Sequence, residues 1–531
     1  MTDVVVVGSG PGGVNASAAL VAAGRRVLML DYGNVDPVYA PLIPHRPFSE
    51  LRRGDTAQHR YLLGDHFEGI PFGPVRVGAQ LTPPRMHILR DAPERIPVDA
   101  DGFQVSMSLA RGGLGAGWSA GVFPFTDDEL RDTSIGLAEL KRHYDAVVER
   151  IGVCGERDDL EPFFPSSPSM MPALDLDTNA ETVYARYQRK RAALNADGFF
   201  LGRARLAVCT RQHRGRGPEA YLDLSYWADM DRSVYRPQWT LDELLRDPGF
   251  TYVNRCFVQR FEETADGVRV HVVHADSGTA EIHEGRALVL AAGTLGTAWL
   301  VLRSLGLHDA RVPLLCNPYS YVPTLNTAML FRAATDRRCS LAQLTAIVRI
   351  PDTSRIVQAQ IFSYRSLLTF KLMKELPLGY RESRALLRLM MPKFAILGMH
   401  HEDRPGPGKY CLLRRDAATD RLEVSYKPTD EETAAHLADE RRVVGFVRRL
   451  GCVPLKTIRP GHGASLHYAG TFPMAAAGGE LTCDRDSRLR ATRAVYLADG
   501  SVFPWLSPKG LTFNIMANAD RVGTLLAARL A

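Results

Sequence analysis

Val4-Val5-Val6-Val7-Gly8-Ser9-Gly10-Pro11-Gly12-Gly13 is an apolar run feeding a glycine turn, and its reading decides the fold. The wider segment Thr2–Asp31 orders itself as strand, glycine turn, small-residue helix and second strand, the last over Arg26–Leu30. Gly8, Gly10 and Gly13 fill a G-x-G-x-x-G pattern, with Pro11 and Gly12 inside the turn. The first glycine permits the tight turn, the second lets a pyrophosphate approach the backbone, and the third lets helix and strand pack closely. The helix N-terminus then offers free N–H groups and the positive end of its dipole to phosphates. Asp31 closes the second strand eighteen residues beyond Gly13, where a carboxylate can accept ribose hydroxyls.

The turn alone does not separate one dinucleotide from another, but two distant segments do. Ala287–Gly293 is an apolar strand ending in small residues, Ala292 among them, followed by a helical run over Leu295–Leu305. Near the C-terminus, Ala494–Leu497 is a further strand that closes on Asp499-Gly500-Ser501. A late strand returning to the first sheet brings an acid to the ribityl or pyrophosphate of FAD, a return that NAD dehydrogenases do not need. The fold class expected is α/β, with an FAD-binding Rossmann-type domain assembled from both chain ends and an interleaved α+β substrate domain. The expected FAD-binding domain comprises 1–40, 106–150, 251–310 and 456–531; the substrate domain comprises 41–105, 151–250 and 311–455.

Composition narrows the classes further. At 531 residues, 45% hydrophobic and 23% charged, the chain is ordinary for a globular protein of two lobes. A net charge of +6 is small for this length, and no basic tract is interleaved with aromatics, which argues against nucleic-acid binding. Eight scattered cysteines without a C-x-x-C pair suit reduced thiols and a cytoplasmic location. A strand starting at Val4 leaves no room for a signal peptide, and no apolar run reaches the length of a membrane span. Ser366–Met399 comes closest, broken by Lys371, Lys374, Glu375, Arg381 and Lys393. It reads as one or two amphipathic helices over a core, or as a lid or membrane-facing patch near a substrate entrance.

Three segments resemble the glucose–methanol–choline (GMC) oxidoreductase family. Arg111-Gly112-Gly113-Leu114-Gly115-Ala116-Gly117-Trp118-Ser119 resembles the glycine-rich loop along the isoalloxazine ring. Small residues there let backbone approach a flat aromatic system. His467-Tyr468-Ala469-Gly470-Thr471-Phe472-Pro473-Met474 matches the family's H-x-x-G-T-x-x-M element with its active-site histidine. Val495–Arg521, with Asp499, Gly500, Ser501, Pro504 and Ile515–Ala519, follows the C-terminal signature. The resemblance places Val258 where a backbone strand clasps adenine. A bacterial subgroup found with carbohydrate and sugar-antibiotic biosynthesis fits further, over Thr240–Tyr252, Cys316–Thr324 and Ser501–Asn514. Thr240 and Glu243 also read as a capping box opening a short helix.

The resemblance implies non-covalently bound FAD, a small-molecule alcohol or sugar substrate, and His467 as general base. An imidazole suits that task because its unperturbed pKa of about 6.5 lies near working pH. Two departures matter. Gly117 stands where some members carry a flavin-linked histidine, and Gly510 and Leu511 fall where the second catalytic side chain and its proline belong. Lys509 and Asn514 are the candidates to replace that side chain. A helix starting near Gly510–Thr512 would aim N–H groups at the reduced flavin's charge. His462 reads as a loop residue, and His400-His401 as no metal pair, because adjacent side chains point apart.

In the substrate lobe, strands are expected over Gln343–Ile350 and Val357–Tyr364. In the second, Gln358, Gln360 and Phe362 share a face opposite Val357, Ala359 and Ile361. The amides face either a polyhydroxylated substrate or solvent. Glu402 and Asp403 are either an amino-sugar site or a surface acidic pair. The expected activity is oxidation of a sugar or aminoglycoside CH–OH, similar to paromamine 6′-oxidation. Another GMC-type alcohol oxidation is the first alternative, and a flavin-containing lyase the alternative from another class.

Overall fold

The computed structural model describes residues 2–69, 82–225, 227–333, 338–363, 373, 376–415 and 420–531. Val4–Val7 is buried along its whole length and pairs in parallel with a strand on each side, Val27–Leu30 and Ala287–Leu290. Phe250–Val253 extends the sheet at one edge and Val495–Leu497 at the other, both also parallel. The order is thus Val495–Leu497, Ala287–Leu290, Val4–Val7, Val27–Leu30, Phe250–Val253, which brings both ends of the chain into one five-stranded sheet. Helix Pro11–Ala22 packs against the C-terminal helix Thr512–Arg529, so the ends also share a helical layer. The three central strands, four residues each and rich in valine and leucine, are buried along their length, as a parallel sheet under helices requires.

A second, six-stranded antiparallel sheet runs in the order Cys452–Pro454, Tyr319–Asn326, Phe394–His400, Ile356–Ser363, Leu344–Arg349, Phe199–Arg203. Helices Thr178–Ala196 and Asp430–Arg449 cover one face, burying Val357, Ala359 and Ile361 with Val183, Tyr187, Val443 and Phe446. Asp177 caps the first helix through Ala180 N–H, and Thr429 with Glu432 forms a reciprocal capping box on the second. Alternation along Ile356–Ser363 therefore turns Gln358, Gln360 and Phe362 to the opposite face, toward a cavity. A three-stranded antiparallel sheet, Cys256–Glu263, Val268–His274 and Ala280–Gly285, carries Val258.

Two local expectations need correcting. The helix near Thr240 begins earlier, at Pro237, where the ring's fixed φ and missing N–H suit a first turn. Thr240 therefore sits inside the helix Pro237–Leu244 with its hydroxyl bonded to Tyr235, and Glu243 pairs with Arg214 instead of capping. Of the apolar stretch Ser366–Met399, residues 366–372, 374 and 375 lie outside the described residues. The remainder is one helix, Tyr380–Met390, and then the strand Phe394–His400 in place of a further helix. All eight cysteines are unpaired and buried. Among the described residues no helix is long and apolar enough to cross a membrane, and no group of His, Cys, Asp and Glu is arranged to hold a metal.

Candidate active site

One cavity of about 550 Å³ runs from the glycine turn of the parallel sheet to the open face of the antiparallel one. Gly8, Gly10, Pro11, Gly12 and Asp31 line its first end, joined by Val258 and Ala292. Gly113, Gly117 and Trp118 line it farther along, as do Asp499, Gly500, Gly510 and Thr512. Gly13, Gly112 and Leu511 stand behind this wall. A Cβ on Gly13 would fall 1.9 Å from the Gly8 carbonyl oxygen, and one on Gly12 would fall 1.8 Å from that of Ala498. The helix is therefore pressed against the first strand and against the segment after the last one. Gly112 N–H donates to the Ser9 hydroxyl at 2.8 Å, and Leu511 is buried just before helix Thr512–Arg529.

The two acids of the nucleotide segments are buried and hydrogen-bonded. Asp31 accepts from the Ser9 hydroxyl at 2.5 Å, from Ser9 N–H at 3.3 Å and from Tyr252 at 2.9 Å. Burial dominates and raises its pKa to about 6 against those donors. Asp499 accepts from Thr297 at 2.5 Å and from Ser501 N–H at 2.9 Å, and burial likewise raises its pKa. A glycine cradle, two acids at strand ends and a helix start facing the same space are a donor and acceptor set that fits a dinucleotide carrying hydroxyls and phosphates.

His467 lines the far end of the cavity. The residue before it, Leu466, has φ 62°, a left-handed conformation costing a leucine about 1–2 kcal/mol, which aims the next side chain inward. His467 Nδ1 lies 3.1 Å from Asn317 Oδ1. Asn317 is buried, and its amide nitrogen donates to the backbone carbonyls of His401 at 2.7 Å and Ser507 at 2.9 Å. Two carbonyl acceptors fix which end of that amide is nitrogen, so Oδ1 faces the imidazole and Nδ1 carries the proton. Nε2 then keeps its lone pair. Burial lowers the pKa of His467 to about 4, so the ring is neutral at ordinary pH.

Gln358 and Gln360 both line the cavity and are buried, so neither faces bulk solvent. Glu402 and Asp403 do not. Glu402 pairs with Arg355 at 3.0 Å, and Asp403 is 3% exposed, paired with Lys409 at 2.6 Å and accepting from Tyr426 and Cys316 N–H. A buried carboxylate needs such partners, so the pair is neither an amino-sugar site nor a solvent-facing acidic patch. Lys509 and Asn514 are also engaged elsewhere. Lys509 meets Glu129 at 2.5 Å and the Phe163 carbonyl at 2.7 Å, while Asn514 bonds Phe123, Phe125 and Tyr144. His462 packs at a tilt against the Tyr426 ring and does not line the cavity.

Two residues at the site carried no signal in the sequence. Asn317 sits in an Asn-Pro pair whose chemistry is visible only once its carbonyl partners are in place. His400 lies in the cavity with its ring 5.0 Å from that of His467 at an interplanar angle of 23°, while His401 turns away toward His436. The rule that adjacent strand residues face apart excludes a metal pair and, by the same geometry, sends one of the two into the site.

A parallel sheet closed by both chain ends, sharing one cavity with the open face of an antiparallel sheet, makes a mixed α/β fold with an interleaved second sheet. This mixed α/β fold is shared with formate oxidase from Aspergillus oryzae. Two variants of that enzyme, studied for modification of its FAD, match over 99% of this chain and 98% of theirs, with TM-scores of 0.60 and 0.62. Both are 12% identical to it, so the likeness is one of fold. No family model and no curated sequence matches the chain.

Proposed function

We propose that the chain is an FAD-dependent oxidoreductase of GMC type that oxidises a CH–OH group of a sugar, with His467 as the base. The observation that carries this reading is the Asn317-held imidazole, whose proton is fixed on Nδ1 and whose Nε2 is left as acceptor in a buried cavity. The Gly8–Gly13 turn, Asp31 and Val258 would hold the nucleotide half of FAD, and Gly113, Gly117, Trp118, Asp499 and the Gly510–Thr512 helix start the flavin half. Bound FAD supplies the hydride acceptor. His467 Nε2 takes the hydroxyl proton, and Asn317 keeps the ring oriented as Nδ1–H gains positive character.

The walls around His467 refine the substrate. Tyr319, Tyr321 and Phe362 give flat apolar faces, and Gln358 and Gln360 give amides, a mixture suited to a hydroxylated ring. Apart from Asp31 and Asp499, Asp223 is the one carboxylate among the described lining residues. An uncharged sugar is therefore better served than a polycation, and the aminoglycoside version, resembling paromamine 6′-oxidation to an aldehyde, is the narrower form of the proposal. Anaerobic mixing of FAD-loaded protein with a panel of sugars and sugar alcohols tests it. Bleaching of the oxidised flavin band is expected with at least one of them. A flavin that stays oxidised while substrate is cleaved would identify a lyase.

A further inference from the structure

Gly510 leaves the usual place of a second catalytic side chain without one. A Cβ there would meet Phe123 at 3.1 Å and lie 3.8 Å from His467 Cε1, so the space beside the imidazole is filled by packing. The antiparallel sheet supplies groups from the other side. Strand pairing sets Tyr319, His400 and Gln358 directly opposite one another across three strands. Directly paired residues project from the same face with Cβ atoms about 4.5–5.5 Å apart. In the neighbouring row the middle position is Gly398, between Tyr321 and Gln360, so the sheet is hollowed beside His400. The Tyr319 hydroxyl lies 2.8 Å from where a Gly398 Cβ would stand, closing one side of that hollow.

Two of these side chains are chemically incomplete. Gln358 is 1% exposed and lines the cavity, yet neither its amide nitrogen nor its oxygen has a hydrogen-bond partner among the described residues. Burying an unpaired amide costs about 1–3 kcal/mol, and native proteins rarely retain one without a use. The His400 ring contacts Tyr319 and His467 by its faces, with no hydrogen bond from its nitrogens to the described residues. The two imidazoles stand 5.0 Å apart and nearly parallel. Both rings line the one cavity, so a ligand lodged in it meets the two imidazoles together.

Resting on the reading of the site as an alcohol oxidase or dehydrogenase, we infer that His400 is the second catalytic residue. It donates a hydrogen bond to the same substrate oxygen whose proton His467 accepts, while Gln358 holds the adjacent hydroxyl of a vicinal diol. The function of the side chain missing at Gly510 is thereby moved from the C-terminal helix start to a strand of the other sheet. Burial and the neighbouring imidazole both disfavour a charged His400, so it remains a neutral N–H donor after His467 takes the proton. No bond of His400 itself breaks: the hydroxyl proton ends on His467 Nε2 and the hydride on FAD.

The test is anaerobic flavin reduction by whichever sugar alcohol reduces the wild-type protein fastest, in FAD-loaded His400→Ala, His400→Asn, His400→Phe and Gln358→Leu. The FAD absorbance and melting temperature of each variant report its fold. His400→Ala should slow the limiting rate about 10–100-fold. His400→Asn, which keeps a donor, should recover most of that loss, and His400→Phe, which keeps the ring but no donor, should not. Gln358→Leu should raise the apparent Kd about tenfold or more with the limiting rate within about threefold. A rate restored by Phe and not by Asn would reduce His400 to a stacking support for His467, and near-wild-type rates in all His400 variants would remove it from the site. Absence of reduction in the wild-type protein by every alcohol would instead defeat the oxidoreductase reading, and this inference with it.

Discussion

Replacing His467 by Ala is expected to leave FAD bound while slowing substrate-driven flavin reduction by about 10²–10⁴-fold, the usual worth of a general base. His462→Ala, outside the cavity, should lose far less, and stopped-flow absorbance distinguishes the two. Because burial lowers the His467 pKa to about 4, the base is unprotonated above that pH and loses its lone pair only below it. The acid limb of kcat/KM is therefore expected near pH 4, and a limb centred at about 6.5 would contradict a buried base. Asp31→Ala and Asp499→Ala should weaken FAD retention more than they slow reduction, as read by equilibrium dialysis. Gly117, unable to form a flavin bond, predicts that acid precipitation releases all the yellow colour. His467 and the two acids were legible because each sits in a spaced motif. Asn317 and His400 were not, since they meet His467 from positions 150 and 67 residues away in sequence.

At the scale of elements, close backbone approach makes sharper predictions than propensity. Gly12→Ala drives a methyl group into the Ala498 carbonyl, backbone against backbone, so neither side can swing away. A loss of about 1–3 kcal/mol or more is expected, together with FAD, from a melt followed by flavin fluorescence. Gly445→Ala, inside helix Asp430–Arg449 with nothing within 4 Å of the new methyl, should raise the melting temperature instead, by about 1 kcal/mol of helix propensity. Strands Val4–Val7 and Leu344–Arg349 could be read directly from runs of apolar or alternating residues. The strand Phe394–His400 could not, because its seven residues continue an apolar stretch whose period fits a helix equally well. Sheet partners on both sides, Tyr319–Asn326 and Ile356–Ser363, decide the matter. Thr240 shows the converse, where a proline three residues earlier outranked a capping pattern.

For the molecule as a whole, the first and last strands of the parallel sheet are separated by one strand in space and by nearly the entire chain in sequence. Their protection should be coupled. Hydrogen exchange in Val4–Val7 and Val495–Leu497 is expected to slow together when FAD binds and to rise together when it is removed. Independent protection of either end would contradict a shared sheet. The two-ended architecture was legible because the strand and acid signatures at both termini are local; which strands neighbour each other in the second sheet depends on long-range pairing that no window of sequence contains.

That same sheet imposes a timetable on biosynthesis. At about 5–20 residues per second, a ribosome needs roughly half a minute to two minutes to make this chain. For about the first half of that time Val4–Val7 waits for its neighbour at 287–290, and the edge strand at 495–497 follows more than 200 residues later. Nascent chains thus carry an unfinished, strongly apolar sheet until that last strand emerges, a state that invites chaperone capture. Cofactor capture belongs to the chain in which this sheet is complete. A cell short of FAD should accordingly show less of this protein, cleared by quality control, and little accumulation of a stable empty form.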